Sequence, residues 1–436
     1  MALDAGGGKK VAIIAGVLLC LAAVGVCGYL VLSGESKGDE ETVDGDPSPA
    51  GGAGGAGYGG GGGSSGGTSG GGGTSGGGGS DDSGGSGSDS SHGPPVKSNF
   101  ILCTVGVTFD DPKKYSGIPC DYIVYDNVLL HNGRVVPTQD FEGWRNFKIS
   151  GFKNTILGIG FMAMYFTDIA AMLKDQAVQS DLQSLMKDSG IAAFGILNLD
   201  IPADSATLKK GLADFFGSLD DITKSTGTYF CGFKLPNVDK FDNLNEFLTG
   251  LPVQLAIIQT HNSGWPIALN QKDCKIVPSS SWTHLYGQSF ERVSYALQKV
   301  TAPPIPVGVS FSMAVNSYAS ESGASVDDSI KAFPSTCAFR AEEGYQNWCK
   351  PATGGSDGTK DEMAVRKYGA VRRNMASLDT KESMKAKFDK LKTSVKYSVG
   401  LLLLDIQFDY IDDPTLCPGY ASLDRVKYIG DIVRKQ

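Results

Sequence analysis

The sequence predicts an α/β domain whose strands close into a (β/α)8 barrel. Eight short apolar runs rich in Val, Ile, Leu and Phe predict it, together with amphipathic helical patterns between several of them. The third observation is length, since residues 97–436 supply 340 positions, ample for one large core. In order, the runs are Phe100–Val105, Tyr122–Val128, Thr155–Phe161, Ile196–Ile201, Tyr229–Lys234, Val253–Thr260, Val307–Met313 and Gly400–Phe408. Helical spacing occurs at Gln176–Lys187, Leu208–Phe216, Glu291–Val300 and Lys381–Lys392. Strands alternating with helices form parallel sheets, and a count of eight favours a closed barrel over an open doubly wound sheet. No GxGxxG or GKS/GKT follows any run, so the usual nucleotide-binding reading is removed.

The N-terminal quarter is built differently. Residues 1–10 form a short N-terminus, and residues 11–33 carry no charge and no proline, long enough to cross a hydrocarbon core of about 30 Å. Lys9 and Lys10 precede this span, and Glu35, Asp39, Glu40 and Glu41 follow it. The positive-inside rule then predicts a signal anchor with a cytoplasmic N-terminus and an extracellular C-terminal domain at the cell membrane. The alternative is a secreted protein, its apolar region removed as a signal peptide. Residues 34–96 include 23 glycines between positions 51 and 90 alone and almost no apolar side chains. Burial there cannot offset ordering entropy, so a disordered tether with a mean reach of about 40 Å is expected.

Composition closes off several functions. There are 39 Lys+Arg against 47 Asp+Glu, a formal charge of −8, with no cationic stripe to meet phosphates, so no nucleic acid is expected. The four histidines are scattered without HExxH or C-x-x-C, and neither metal nor cofactor is predicted. Cys20 and Cys27 fall in the apolar span, where packing is the simple reading. The exported domain holds seven cysteines: Cys103, Cys120, Cys231, Cys274, Cys337, Cys349 and Cys417. An oxidising compartment makes disulfides the default and the odd count leaves one over. Cys103 and Cys120, on neighbouring strands, are the first expected pair; the others are left open. No Asn-x-Ser/Thr sequon occurs.

The stretch from Thr155 to Pro202, with its FTDI and closing Ile201-Pro202, resembles the third and fourth strands of glycoside hydrolase family 18, the chitinases and chitinase-like proteins. Further blocks agree in order: CDYIVYDNV (120–128), THNSGW (260–265), GYQNWC (344–349) and the long segment 377–413. The resemblance spans nearly all of residues 97–436 and is to a catalytically degenerate member with an arthropod cast. It implies a TIM-type barrel with a small insertion between strands 7 and 8.

In that family a DxxDxDxE strand supplies the acid that protonates the leaving oxygen, while the sugar's own acetamido group attacks, outside the two-carboxylate scheme. The match carries the four motif positions onto Ala193, Ile196, Asn198 and Asp200. Three acids are lost, and Asp200 is one methylene shorter than the family's glutamate. Withdrawing a proton donor by about 1 Å can cost about 10²-fold in rate. The sixth-strand Met-x-Tyr-Asp maps onto Ala256, Ile258 and Gln259, and the tryptophan flooring the sugar maps onto Leu404. Leucine offers no flat face for a pyranose ring.

The resemblance therefore implies a non-hydrolytic protein that recognises chitin, another N-acetylglucosamine glycan or a protein partner. A weak chitinase using Asp200 with Asn198 is the alternative, and a structural platform without a sugar ligand a third reading. Candidate contact residues are Gln259, His261, Trp265, Trp282 and Leu404. For Asp200 a hydrogen-bonded strand-end carboxylate, and for His261 and the Trp282–His284–Tyr286 cluster ordinary loop packing, stand beside the functional readings. Asp405, Asp409, Asp412 and Asp413 read as eighth-strand and post-strand structure. Lys381–Lys392 reads as a solvated helix face, and Arg366–Arg373 is too short for a polyanion site.

Overall fold

Alternation decides which face of each strand is buried where, because successive side chains point to opposite sides of a sheet. The computed structural model describes residues 96–436 apart from 107, 140, 203–204, 237–240, 263–273, 275, 284–286, 321–336, 350–356, 361–362 and 368–373. The expected membrane span, the tether, Cys20, Cys27, Trp265, His284 and Tyr286 lie outside the described residues. Among the described residues no helix is long and apolar enough to cross a membrane.

The strands are β1 (Ile101–Val105), β2 (Tyr122–His131), β3 (Arg134–Pro137), β4 (Ile156–Phe161), β5 (Ile191–Asp200), β6 (Thr228–Lys234) and β7 (Leu255–Ile258). They continue with β8 (Val307–Ser312), β9 (Val315–Ser320), β10 (Cys337–Glu343), β11 (Asp357–Lys360), β12 (Met363–Lys367), β13 (Asn374–Leu378) and β14 (Gly400–Leu404). The helices of five residues or more are α1 (Phe141–Lys148), α2 (Phe166–Met172), α3 (Gln176–Ser189), α4 (Ser205–Thr223), α5 (Leu244–Leu248), α6 (Phe290–Gln298), α7 (Lys381–Ser394) and α8 (Asp424–Arg434). Eight parallel strands, β1-β2-β4-β5-β6-β7-β8-β14, close on themselves through β14 against β1, with Ile101 opposite Leu401. The (β/α)8 barrel expected from periodicity is present. An Asn132-Gly133 turn with both φ angles positive folds β3 back antiparallel onto β2.

Two apolar layers follow from the alternation. Phe100, Leu102, Tyr122, Val124, Phe230 and Leu402 belong to the cluster that fills the barrel, while Ile101, Cys103, Ile123, Phe194 and Leu401 pack outward under the helices. The Phe100 ring needs two glycines beside it: a Cβ on Gly400 would lie 2.4 Å from the ring and one on Gly308 2.8 Å.

Two strands differ most from the sequence reading at their ends. β5 begins at Ile191 rather than Ile196, pairing with β4 as far back as Leu157. β14 stops at Leu404, because Asp405 takes a left-handed conformation (φ 56°) and turns the chain into a short 3-10 helix, Ile406–Asp409.

Strands β9 to β13 form the insertion between strands 7 and 8 of the barrel, an antiparallel sheet ordered β10-β9-β13-β12-β11. It has its own small core of Val315, Tyr345, Trp348, Ala376, Leu378 and Ile411. The disulfides are Cys103–Cys120, as expected, Cys274–Cys337 and Cys349–Cys417. Cys231 is the odd one, free and buried in β6, with its thiol pushed up by burial.

Candidate functional site

A (β/α)8 barrel carries its chemistry where the strands end, on the C-terminal face. Continuing the inward alternation to that end brings up Thr104, Asp126, Gly160, Lys234, Gln259 and Ser310, a polar layer above the apolar filling.

The fourth barrel strand, β5, reaches this layer through a bulge. Between Ile196 and Leu199 it advances three residues while β6 advances two, from Cys231 to Phe233, and Asn198 takes φ 66° to absorb the extra residue. Ala193 belongs to the barrel-filling cluster, whereas Ile196 belongs to the outer cluster under the helices. Asn198 is half-buried and accepts a hydrogen bond on Oδ1 from Gln259 Nε2 at 2.7 Å. Two neutral amides thus face each other where the family resemblance calls for acids. Asp200 ends the strand exposed, opposite Lys234 in the β5–β6 register. Leu404 is 6 % exposed and joins the barrel-filling cluster, so the floor position is aliphatic.

His261, just beyond β7, is buried and bonds Ser310 Oγ through Nδ1 at 2.7 Å. Burial, then Lys234 and Arg340, push its pKa down to about 3, so the ring is neutral; among the described residues Nε2 has no hydrogen-bond partner. Trp282 lies elsewhere. It stacks on Phe290 of α6 (centroids 6.3 Å apart, planes 12° apart), and Lys390 Nζ of α7 sits 3.8 Å from the centre of its ring. It packs in the helical layer, away from the barrel filling.

The acids of this domain stand on another side of the mouth. A cavity of about 120 Å³ is lined by Gly106, Tyr125, Asp126, Asn127, Thr138, Gln139, Met162, Glu342, Asp405, Gln407 and Phe408. Asp126 ends the inward row of β2, Asp405 follows β14, and Glu342 arrives from β10 of the insertion. Asp126 is 8 % exposed, and burial pushes its carboxyl up to about 7 despite a bond from the Asn127 backbone. Burial, then Glu342 and Asp126, also push Asp405 up to about 7, against a bond from Gln407 Nε2 (3.3 Å). Like charges crowded in a desolvated place resist ionising together. Gly160 makes room for this arrangement, since a Cβ there would come within 2.3 Å of Asp126 Oδ1.

Sequence reasoning missed Asp126 and Glu342 and read Asp405 as structure. A carboxylate closing the YIVYD run, at the C-terminal end of a barrel strand, was the available signal for Asp126. Nothing local marks Glu342, which reaches the mouth only because the insertion folds over it. Among the described residues no group of three His, Cys, Asp or Glu is arranged to hold a metal ion.

No protein-family model matches the chain, and no curated protein sequence does. Solved structures do. The group IV chitinase of Ostrinia furnacalis aligns over 77% of this chain and 100% of its own, with a TM-score of 0.52 and 11% identity. Catalytic domain 2 of the group II chitinase of the same species gives 78%, 97%, 0.55 and 11%. Human YKL-39, described as a pseudo-chitinase with retained chitooligosaccharide binding properties, gives 78%, 100%, 0.53 and 11%. The fold is that of the glycoside hydrolase family 18 chitinases. At such identity the likeness is one of architecture, and it includes both hydrolases and a non-hydrolytic binder. What the chitinase-fold domain does with that architecture rests on its own mouth residues.

Proposed function

We propose that this chain is a membrane-anchored, extracellular chitinase-like protein that recognises an N-acetylglucosamine glycan without effective hydrolysis. The observation that carries the reading is the Asn198–Gln259 amide pair on the strand ends where substrate-assisted cleavage needs negative charge. An amide pair offers hydrogen bonds to sugar hydroxyls but no charge to hold a cationic intermediate. Leu404 in place of an aromatic floor, and the exposed end position of Asp200, point the same way. YKL-39 supports the pairing of this fold with binding but no turnover.

One observation favours a second reading, residual hydrolysis. Asp126 and Asp405 hold protons near neutrality beside a cavity, which is the profile of a general acid. Purified full-length chain is expected to be retained on chitin beads and to release no fluorophore from chitobiose or chitotriose conjugates. Turnover abolished by Asp200→Ala would overturn the non-hydrolytic reading in favour of the motif position. Turnover surviving that change but lost in Asp126→Asn would move the acid to the cavity. Absence of retention would favour a platform without a sugar ligand.

A further inference from the structure

We propose that the β6–β7–β8 side of the mouth is a subsite for an anionic group, a carboxylate or a sulfate ester, and that the N-acetylglucosamine glycan recognised by this chain carries one. The inference rests on the glycan reading above and names which glycan.

Lys234, His261 and Arg340 form it. Lys234 ends the inward row of β6, and the neighbouring Phe233 O accepts from Gln259 N at 2.8 Å, which sets Lys234 beside the end of β7. His261 follows Gln259 by two residues. Arg340 arrives from β10 of the insertion, and its Nη2 donates to the backbone oxygen of Asn262 (3.4 Å), the residue after His261, and to Asn316 Oδ1 (2.8 Å). Glu342 Oε1 lies 4.0 Å from that nitrogen and offsets part of the Arg340 charge. Lys234 is not offset in this way. Among the described residues it makes no ion pair, although Asp200 is its register partner on β5.

His261 supplies the observation that calls for a ligand. It is 2% exposed, and its Nε2 is buried with no hydrogen-bond partner among the described residues. The neighbouring hydroxyls decide which ring nitrogen carries the proton. Thr260 Oγ1 donates to Ser310 O and accepts from Ser310 N at 3.0 Å, while Ser310 Oγ accepts from Thr260 N at 2.9 Å. The Ser310 hydroxyl still has its proton to give, and His261 Nδ1 lies 2.7 Å away to take it. The ring's own proton is then on Nε2, a buried donor facing no acceptor. Such a donor is costly to leave unpaired, and an entering acceptor removes the cost. Burial first, then Lys234 and Arg340, disfavour a second proton on the ring, which puts both cations within electrostatic reach of it. Arg340 Nε is also buried without a partner among the described residues.

The chemistry of the ligand follows. Two cations flanking an unpaired N–H match an anion, whose oxygens accept from all three, and bonds of that kind are about twice as strong as neutral ones. Gln259 Oε1 is likewise buried without a donor among the described residues, and it calls for a hydroxyl, which a sugar ring carries beside an acidic substituent. A neutral N-acetylglucosamine ring meets the hydrogen-bonding groups but leaves Lys234 without a counter-charge. Of the mouth acids, Asp126 stands on β2, directly across the ring from β7, and Asp405 follows β14, so neither lies on the β6–β7 side.

Isothermal titration of the full-length chain at pH 7 with three tetrasaccharides tests this: an N-acetylglucosamine tetramer, a sulfated form of it, and a tetramer alternating glucuronate with N-acetylglucosamine. An acidic tetramer should bind at least about tenfold more tightly than the neutral one, with the advantage shrinking as salt is added. The better of the two acidic probes names the group as sulfate or carboxylate. Lys234→Gln with Arg340→Gln should remove the preference. Lys234→Gln alone, a change at a half-buried strand end, should cut it severalfold with an unchanged melting curve. Asp200→Asn, which takes away the carboxylate opposite Lys234, should increase it. Equal affinity for neutral and acidic tetramers, or a preference that survives the double substitution, overturns the subsite and leaves the glycan reading standing. Failure of all three tetramers to bind overturns the two together.

Discussion

Replacing Arg425 by methionine is expected to destabilise the domain by about 3–5 kcal/mol, the cost of leaving a buried charge without its partner. Arg425 is 1% exposed, and its Nε donates to Asp409 Oδ1 at 2.6 Å. Burial pushes the Asp409 carboxyl up, opposed first by that guanidinium and then by the backbone N–H groups of Val426 and Arg425, which donate to Oδ2. The remaining nitrogens act as a clamp. Nη1 donates to Asp379 O (2.9 Å) and Nη2 to Met313 O (2.6 Å), the two points where the chain leaves and enters the barrel around the insertion. The guanidinium also lies 4.3 Å from the centre of the Tyr345 ring in the insertion core. Denaturant unfolding of Arg425→Met measures the loss, and Arg425→Met with Asp409→Leu should recover a large part, since an apolar pair removes the orphaned charge. A loss under about 1 kcal/mol for the single change would show that the clamp bears little.

Asp126→Asn should do the opposite and stabilise the protein at pH 8, by on the order of 2–4 kcal/mol. The folded carboxyl titrates at about 7 against 3.8 for the free side chain, so between those values the folded state binds the extra proton. Stability from this group is therefore greatest below about pH 4, falls as pH rises toward 7 and is level above it. The asparagine carries no charge to desolvate and keeps an oxygen for the Asn127 amide. It also removes one of the charges that raise Asp405, so the remaining pH step should move to lower pH. Unfolding curves at pH 5 and pH 8 decide the matter. If the wild type loses no stability between them, or the variant is weaker at pH 8, the carboxyl is not held neutral.

Much of the architecture was legible because it depends on near neighbours in sequence. Runs such as Ile101–Val105 and Val307–Ser312 declare strands through their own composition, and Cys103 and Cys120 follow from the order of the first two strands. The positions that the family resemblance assigns to its acid row, Ala193, Ile196, Asn198 and Asp200, came from the letters alone. Their directions needed the fold. A two-residue period counted back from Asn198 would turn Ile196 inward, but the bulge uses one residue to re-aim the strand, and Ile196 faces the helices. Trp282, a lone aromatic in a polar connection, turned out to be covered by Lys390 and Phe290, partners about a hundred positions away in one case and eight in the other.

The chain's own letters announced eight strands alternating with helices, since periodicity is a local property. Where the acids of the mouth gather was decided only by closure of the barrel, which sets β14 beside β1 and β1 beside β2, and by the insertion folding Glu342 over that junction. Residues 126, 342 and 405 share no local pattern. Asp126 is pushed up by burial, and Asp405 by burial with Glu342 and Asp126 nearby, causes that arise only from proximity in space.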